Sequence, residues 1–78
     1  MIVWYCFCGF EIGGDALVYQ RTLECDEKQV KAALNPDDIA DDPGLAHVYP
    51  IAIEVAQAIV GENLPAGDYF VNGVQSAP

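Results

Sequence analysis

The chain has 78 residues, which is the length of one domain, and we expect a single domain over residues 1–78. Of these residues 53% are hydrophobic, which argues against disorder, because disordered chains combine low hydrophobicity with high charge. Twelve acidic residues against three basic ones give a formal net charge of −9, so nucleic-acid phosphates and anionic membrane surfaces repel the chain. Composition therefore disfavours direct binding to nucleic acids or membranes and favours a basic protein partner.

The first segment, Ile2–Phe10, predicts a buried strand, since it is β-branched, aromatic or cysteine almost throughout. Alternation places two sets of side chains on opposite faces: Ile2, Trp4, Cys6, Cys8 and Phe10 on one, and Val3, Tyr5, Phe7 and Gly9 on the other. Both faces are apolar, which is typical of a central strand or of one whose second face meets a partner.

A hairpin and two helices are predicted next. Gly13 and Gly14 indicate a turn over residues 11–15, followed by a return strand over residues 16–23. Asp26 is predicted to cap a helix that ends at residues 35–36, because the residue before a proline is disfavoured in a helix. After an acidic loop, a second helix is expected to begin at Pro50 and to end at Gly61.

A last strand is predicted over residues 69–74, followed by a loose tail over residues 75–78. The order β-β-α-α-β predicts an α+β fold, a three-stranded antiparallel sheet with Ile2–Phe10 in the middle and two helices on one face. The other face would keep apolar side chains that nothing covers, which usually marks an interaction surface. The predicted core comprises Trp4, Phe7, Val30, Leu34, Val55, Ile59 and Phe70.

The cysteines and the histidine suggest two kinds of chemical site, a zinc site and a nucleophilic thiolate. The candidate zinc ligands are Cys6, Cys8, Cys25 and His47. Structural zinc usually takes cysteine pairs two to four residues apart in turns, whereas Cys6 and Cys8 lie within a strand. A nucleophilic thiolate with His47 as its base would need an electropositive setting, which a chain of this charge does not offer. We therefore expect apolar cysteines, no catalytic residue, no metal and no cofactor.

The cellular compartment is expected to be the cytoplasm. An odd number of cysteines disfavours a closed disulfide framework, which suits a reducing environment. The apolar first segment lacks a basic region and a cleavage pattern, so it does not have the character of a targeting segment.

The candidate binding residues are acids and tyrosines. The acids are Asp37, Asp38, Asp41 and Asp42, whose spacing does not match a calcium-binding loop. They could form a docking patch for a basic partner, or they could serve only solubility. Tyr19, Tyr49 and Tyr69 are candidate anchors, because tyrosine combines apolar area with a polar tip.

The second half of the chain contains a Tyr49-Pro50-Ile51 motif before a predicted helix and a closing Asp68-Tyr69-Phe70-Val71 segment. In these motifs, and in the layout of the hairpin, the chain resembles a group of small, uncharacterised bacterial proteins. Members often have an acid where this chain has Asn72 and a hydroxyl residue where it has Ala52. The resemblance implies no catalytic residue. Small acidic proteins of this kind look like immunity proteins, which bind and silence a toxin made by the same cell.

These observations favour a protein-binding module over an enzyme. The leading hypothesis is an immunity protein that blocks the cleft of a basic toxin, for example a nuclease. The alternatives are a structural or regulatory homodimer that pairs through the open sheet face, and an inhibitor of a phage-defence nucleic-acid machine. The third hypothesis implies the same surface properties as the first, and the sequence does not separate the two.

Overall fold

The computed structural model describes residues 2–74, and the predicted tail at residues 75–78 lies outside this range. Over these residues the elements are β1 (Ile2–Phe10), β2 (Leu17–Asp26), α1 (Glu27–Lys31), α2 (Pro36–Asp41), β3 (Tyr49–Ile51), α3 (Ile53–Val60) and β4 (Asp68–Val74). None of the helices in this part of the chain has both the length and the apolar character needed to cross a bilayer.

The strands form one antiparallel sheet in the order β2-β1-β4-β3. The predicted α+β class and the antiparallel sheet are confirmed, but the described residues contain four strands and three helices instead of three and two. β1 lies between β2 and β4, as the apolar character of both its faces predicts. The β1–β2 turn is also as predicted, with Gly13 at φ 75° and the Gly14 N–H donating to the Glu11 carbonyl at 3.1 Å.

The extra strand is β3, which the sequence predicted as the start of a helix. Tyr49 and Ile51 pair with Val71 and Tyr69 of β4, which places Pro50 in a short edge strand. A proline is tolerated there because an edge strand has backbone donors without a ladder partner. The helix α3 instead begins at Ile53 and ends at Val60, and the next residue, Gly61, is its C-cap, as predicted, with a left-handed backbone (φ 82°).

The extra helix is α2, which arises where the sequence predicted an acidic loop. Asp26 caps α1 as predicted, accepting the Lys28 N–H at 2.9 Å, but α1 ends at Lys31. Asn35 then caps α2, accepting the Asp37 N–H at 2.9 Å, with Pro36 in the first turn. The Asn-Pro pair therefore begins a helix, because Pro36 has the backbone angle that a first helical position needs.

The three helices contribute to one core on one side of the sheet, called here the helical side. The core side chains are Tyr5, Phe7, Val30, Leu34, Leu45, Ile51, Ala56, Val60, Leu64, Tyr69 and Val71. Those of β1 and β4 alternate along their strands, which places Tyr5, Phe7 and Val71 on the same face. Burying them supplies most of the driving force for folding.

The predicted core was correct for Phe7, Val30 and Leu34 and wrong for its other four members. Trp4 and Phe70 are only partly buried, because they lie on the sheet face opposite the helices. α3 buries Ala56 and Val60, so its apolar stripe is rotated and Val55 is 36% exposed. Ile59 packs against the core but remains partly exposed.

Candidate functional site

Three of the four candidate aspartates lie on α2. Asp37, Asp38 and Asp41 are exposed, whereas Ile39 of the same helix packs against the core. This arrangement attaches α2 to the helical side of the sheet and presents the three carboxylates to solvent. Three of the four candidate acids are therefore exposed on one short helix, whereas the sequence predicted all four on a loop.

Asp42, the fourth aspartate, is partly buried and holds together the loop over residues 42–48. Its carboxylate accepts the Ala46 N–H at 3.0 Å, the His47 N–H at 2.9 Å and the Tyr49 hydroxyl at 2.8 Å. The His47 N–H, followed by the Ala46 N–H, lowers the pKa of this carboxyl below its ordinary value. The side chain therefore stabilises the loop through three hydrogen bonds.

The 42–48 loop places the side chain of Leu45 in the core. Leu45 is fully buried and has a left-handed backbone at φ 51°, which is unusual for a residue other than glycine. Its N–H donates to the Asp42 carbonyl at 2.9 Å, and its own carbonyl accepts the Gly73 N–H of β4 at 2.7 Å. Neither the burial of Leu45 nor its hydrogen bond with Gly73 was predicted from the sequence. The available signal was a leucine directly after an Asp42-Pro43-Gly44 turn.

The three candidate tyrosines also use their hydroxyls within the protein. Tyr49 donates to Asp42, and Tyr19 donates to Glu62 at 2.8 Å; both rings are partly buried. Tyr69 is only 3% exposed and donates to the Pro65 carbonyl at 2.6 Å. Its ring also covers Gly9, where an added Cβ would lie 2.6 Å from two ring carbons. The predicted site residues therefore do not form one surface, and Tyr69 is part of the core.

An open face lies on the other side of the sheet. Its central row consists of Trp4, Cys6, Cys8 and Phe10 from β1. Because directly paired residues share a face, β4 adds Asp68, Phe70, Asn72 and Val74, and β2 adds Leu17, Gln20, Thr22 and Glu24. Val30 of α1, Ala56 and Val60 of α3 and the partly buried Ile39 of α2 all pack on the opposite side, so over residues 2–74 no helix covers this face.

The apolar character of the open face is strongest near the hairpin. The Phe10 and Phe70 rings meet edge to face with centroids 5.9 Å apart. Leu17, which pairs with Phe10, is 52% exposed, and Ile12 in the turn is 71% exposed. Uncovered apolar side chains grouped in this way are typical of an interaction surface.

A shallow groove of about 490 Å³ adjoins the same end of the open face. Its lining residues include Pro50, Ile53, Asp68 and Phe70. Asp68 is exposed, and it is the charged side chain among the lining residues. The groove therefore combines apolar walls with one negative charge.

The basic residues lie on the helical side. Arg21 pairs with Phe7 across the sheet, and its guanidinium contacts the Glu62 carboxylate at 3.2 Å. Lys28 and Lys31 lie on α1, where Lys31 contacts Glu27 at 3.5 Å. The charged residues assigned to the open face, Glu24 and Asp68, are both acidic.

The cysteines and the histidine do not converge on one place. Cys6 and Cys8 lie on the open face, whereas Cys25 pairs with Val3 on the helical side and His47 is exposed in the 42–48 loop. Over residues 2–74 no three histidine, cysteine or acidic side chains are grouped closely enough to hold a metal ion. Burial raises the pKa of Cys8 and of Cys25, which disfavours the reactive thiolate.

No protein-family model, no curated protein and no solved structure matches this chain.

Proposed function

We propose that this chain is a protein-binding module that acts as an immunity protein, neutralising a basic toxin such as a nuclease. The distribution of charge carries the proposal. The chain has twelve acids and three bases, and two of the bases, Arg21 and Lys31, are engaged in ion pairs. The charge offered to a partner is therefore almost entirely negative.

Such a surface suits a basic partner in two ways. Long-range attraction raises the rate at which a positively charged protein finds the chain, and repulsion disfavours acidic proteins and nucleic acids. The exposed carboxylates of Asp37, Asp38 and Asp41 contribute to this field from α2. A toxin that acts on nucleic acid is itself basic, because its cleft must attract phosphates.

Binding without catalysis is the function that the side chains support. The pKa values of Cys8 and Cys25 are raised, whereas a nucleophilic thiol requires a lowered one. The free thiols of Cys6, Cys8 and Cys25 suit a reducing compartment, which supports a cytoplasmic location. The immunity role in particular rests on the resemblance of the Tyr49-Pro50-Ile51 and Asp68-Tyr69-Phe70-Val71 motifs to a group of small, uncharacterised bacterial proteins.

Capture of the partner tests this proposal. The tagged chain is used to recover proteins from its native host, and we expect a specific partner with an isoelectric point of roughly 9 or more. Adding the chain at equimolar ratio should then abolish that partner's toxic activity. Recovery of an acidic partner, or a captured toxin that remains fully active in the complex, would contradict the proposed function.

A further inference from the structure

We infer that the open face of the sheet is the anchoring surface, and that its occupant is a basic amphipathic segment: an apolar ridge flanked by lysine or arginine. This inference rests on the proposed function, because the proposed function supplies the premise that the partner is a basic protein. It adds which surface of this chain makes the contact and what chemistry the contacting segment must have.

The shape and polarity of the open face suit an apolar ridge. Trp4 and Phe10 stand at opposite ends of the central row, six residues apart, which corresponds to about 20 Å along a strand. Between and beside them lie cysteines and Phe70, so an apolar row continues along β1. An amphipathic helix of four turns has the length to cover this row, and aromatic residues are the usual anchors of such contacts.

The charges around the open face complement a basic segment. The apolar row is flanked by Glu24 of β2 on one side and Asp68 of β4 on the other. Glu11 and Asp15 lie in the adjoining turn and are exposed. The basic residues, in contrast, lie on the helical side. A segment with cations on both sides of an apolar ridge would place them opposite these acids.

The groove beside Phe70 offers a specific contact for one such cation. A lysine or arginine side chain has an aliphatic stem and a charged end. The stem would lie against Pro50 and Phe70, and the charge would reach the carboxylate of Asp68. An acidic or wholly apolar side chain would gain only part of this contact.

The same charges disfavour a second copy of this chain as the occupant. Two copies that pair through their open faces would bring acidic flanks together, and each copy carries a formal charge of −9. Anchoring and long-range steering of the partner would use different surfaces of the chain. The three exposed aspartates of α2 lie on the helical side, so a segment bound to the open face does not contact them.

The test uses three synthetic peptides of about 18 residues, which is long enough for helix formation on binding. One has leucine on one helical face and lysine on the other, the second has glutamate in place of lysine, and the third has serine in place of leucine. Trp4 is the only tryptophan of the chain and lies on the open face, so its fluorescence reports occupancy. We expect a blue shift with the leucine–lysine peptide and none with the other two.

Two matched variants locate the contact. Leu17→Asp changes an exposed residue of the open face, and Val55→Asp changes an exposed residue of α3 on the helical side. Both make the net charge more negative by one, so both leave long-range attraction to the peptide intact. Leu17→Asp should weaken peptide binding about tenfold or more, because it sets a charge against the apolar ridge. Val55→Asp should change it less than about twofold.

The outcomes separate this inference from the proposed function. Equal loss of binding in the two variants, or no blue shift with any peptide, would overturn the anchoring role of the open face. A basic partner from the host could still bind elsewhere, so the proposed function would stand. A wild-type chain that is dimeric by light scattering, and monomeric after Leu17→Asp, would show that a second copy occupies the face, which also overturns the inference.

Discussion

Replacement of Asp42 by asparagine should lower the midpoint of thermal unfolding at neutral pH by about 5 °C or more. In a domain of this size, a small loss in the free energy of unfolding shifts the midpoint by several degrees. The asparagine keeps the size of the side chain but has one acceptor oxygen in place of two. The wild-type carboxylate accepts the Ala46 and His47 N–H groups and the Tyr49 hydroxyl, so at least one donor loses its partner. The loop that holds Leu45 in the core would loosen with it.

The effect of this substitution should also depend on pH. Hydrogen bonds from His47 and Ala46 lower the pKa of Asp42 in the folded chain, so folding favours its ionised form. The stabilisation that Asp42 contributes is therefore present above the ordinary aspartate pKa of about 4. It is lost as pH falls through the pKa that Asp42 has in the folded chain, which is lower than the ordinary one. Below that value the wild type and Asp42→Asn should approach the same stability.

Asp41→Asn is the matched control, because Asp41 is the neighbouring residue, carries the same charge and is exposed. Thermal unfolding followed by circular dichroism at neutral and at acidic pH compares the two variants with the wild type. We expect Asp41→Asn to unfold within about 2 °C of the wild type, as is usual for an exposed surface substitution. Equal effects of the two substitutions would contradict the structural role of Asp42.

Alkaline titration of the tyrosines should show a second large effect. The pKa values of all four tyrosines are raised in the folded chain: Tyr5, Tyr19, Tyr49 and Tyr69. Burial, followed by the charge of Glu27, raises the pKa of Tyr5 to about 12. The hydrogen bond to Asp42 raises that of Tyr49 to about 12, because an ionised phenol has no proton to donate.

The consequence is a loss of stability at high pH. A raised pKa in the folded state means that the neutral phenols stabilise the fold fully below the ordinary tyrosine pKa of about 10. That stabilisation is lost as pH rises toward the folded value near 12. Tyrosinate absorbance, measured in buffer and in denaturant, should therefore rise at clearly higher pH in buffer. Superimposed titration curves would show that folding does not raise the pKa of the tyrosine phenols.

Much of the fold follows from local patterns in the sequence. The apolar character of both faces of Ile2–Phe10 predicted its central place, and Gly13, Asp26 and Gly61 marked a turn and two helix ends. Each of these signals depends on the backbone preference of a residue or on its nearest neighbours. Preferences of that kind are visible without knowledge of the tertiary structure.

The errors occur where two local structures fit the same residues. Pro36 and Pro50 both suit the first turn of a helix, and only pairing with β4 makes Tyr49–Ile51 a strand. The rotation of α3, which buries Ala56 in place of Val55, depends on the sheet beneath it. Likewise, only the three-dimensional loop shows that Asp42 accepts hydrogen bonds from residues four to seven positions later.

The most direct measurement of partner binding is the rate of association with the captured partner at two salt concentrations. The chain is compared with a triple variant, Asp37→Asn, Asp38→Asn and Asp41→Asn, that leaves Asp42 intact to preserve the fold. We expect salt to slow association of the wild type, since exposed charges are screened over about 8–10 Å, and the triple variant to associate more slowly with a weaker salt dependence. Rates that are indifferent both to salt and to these three residues would contradict docking onto a basic partner and would leave the acids a role only in solubility.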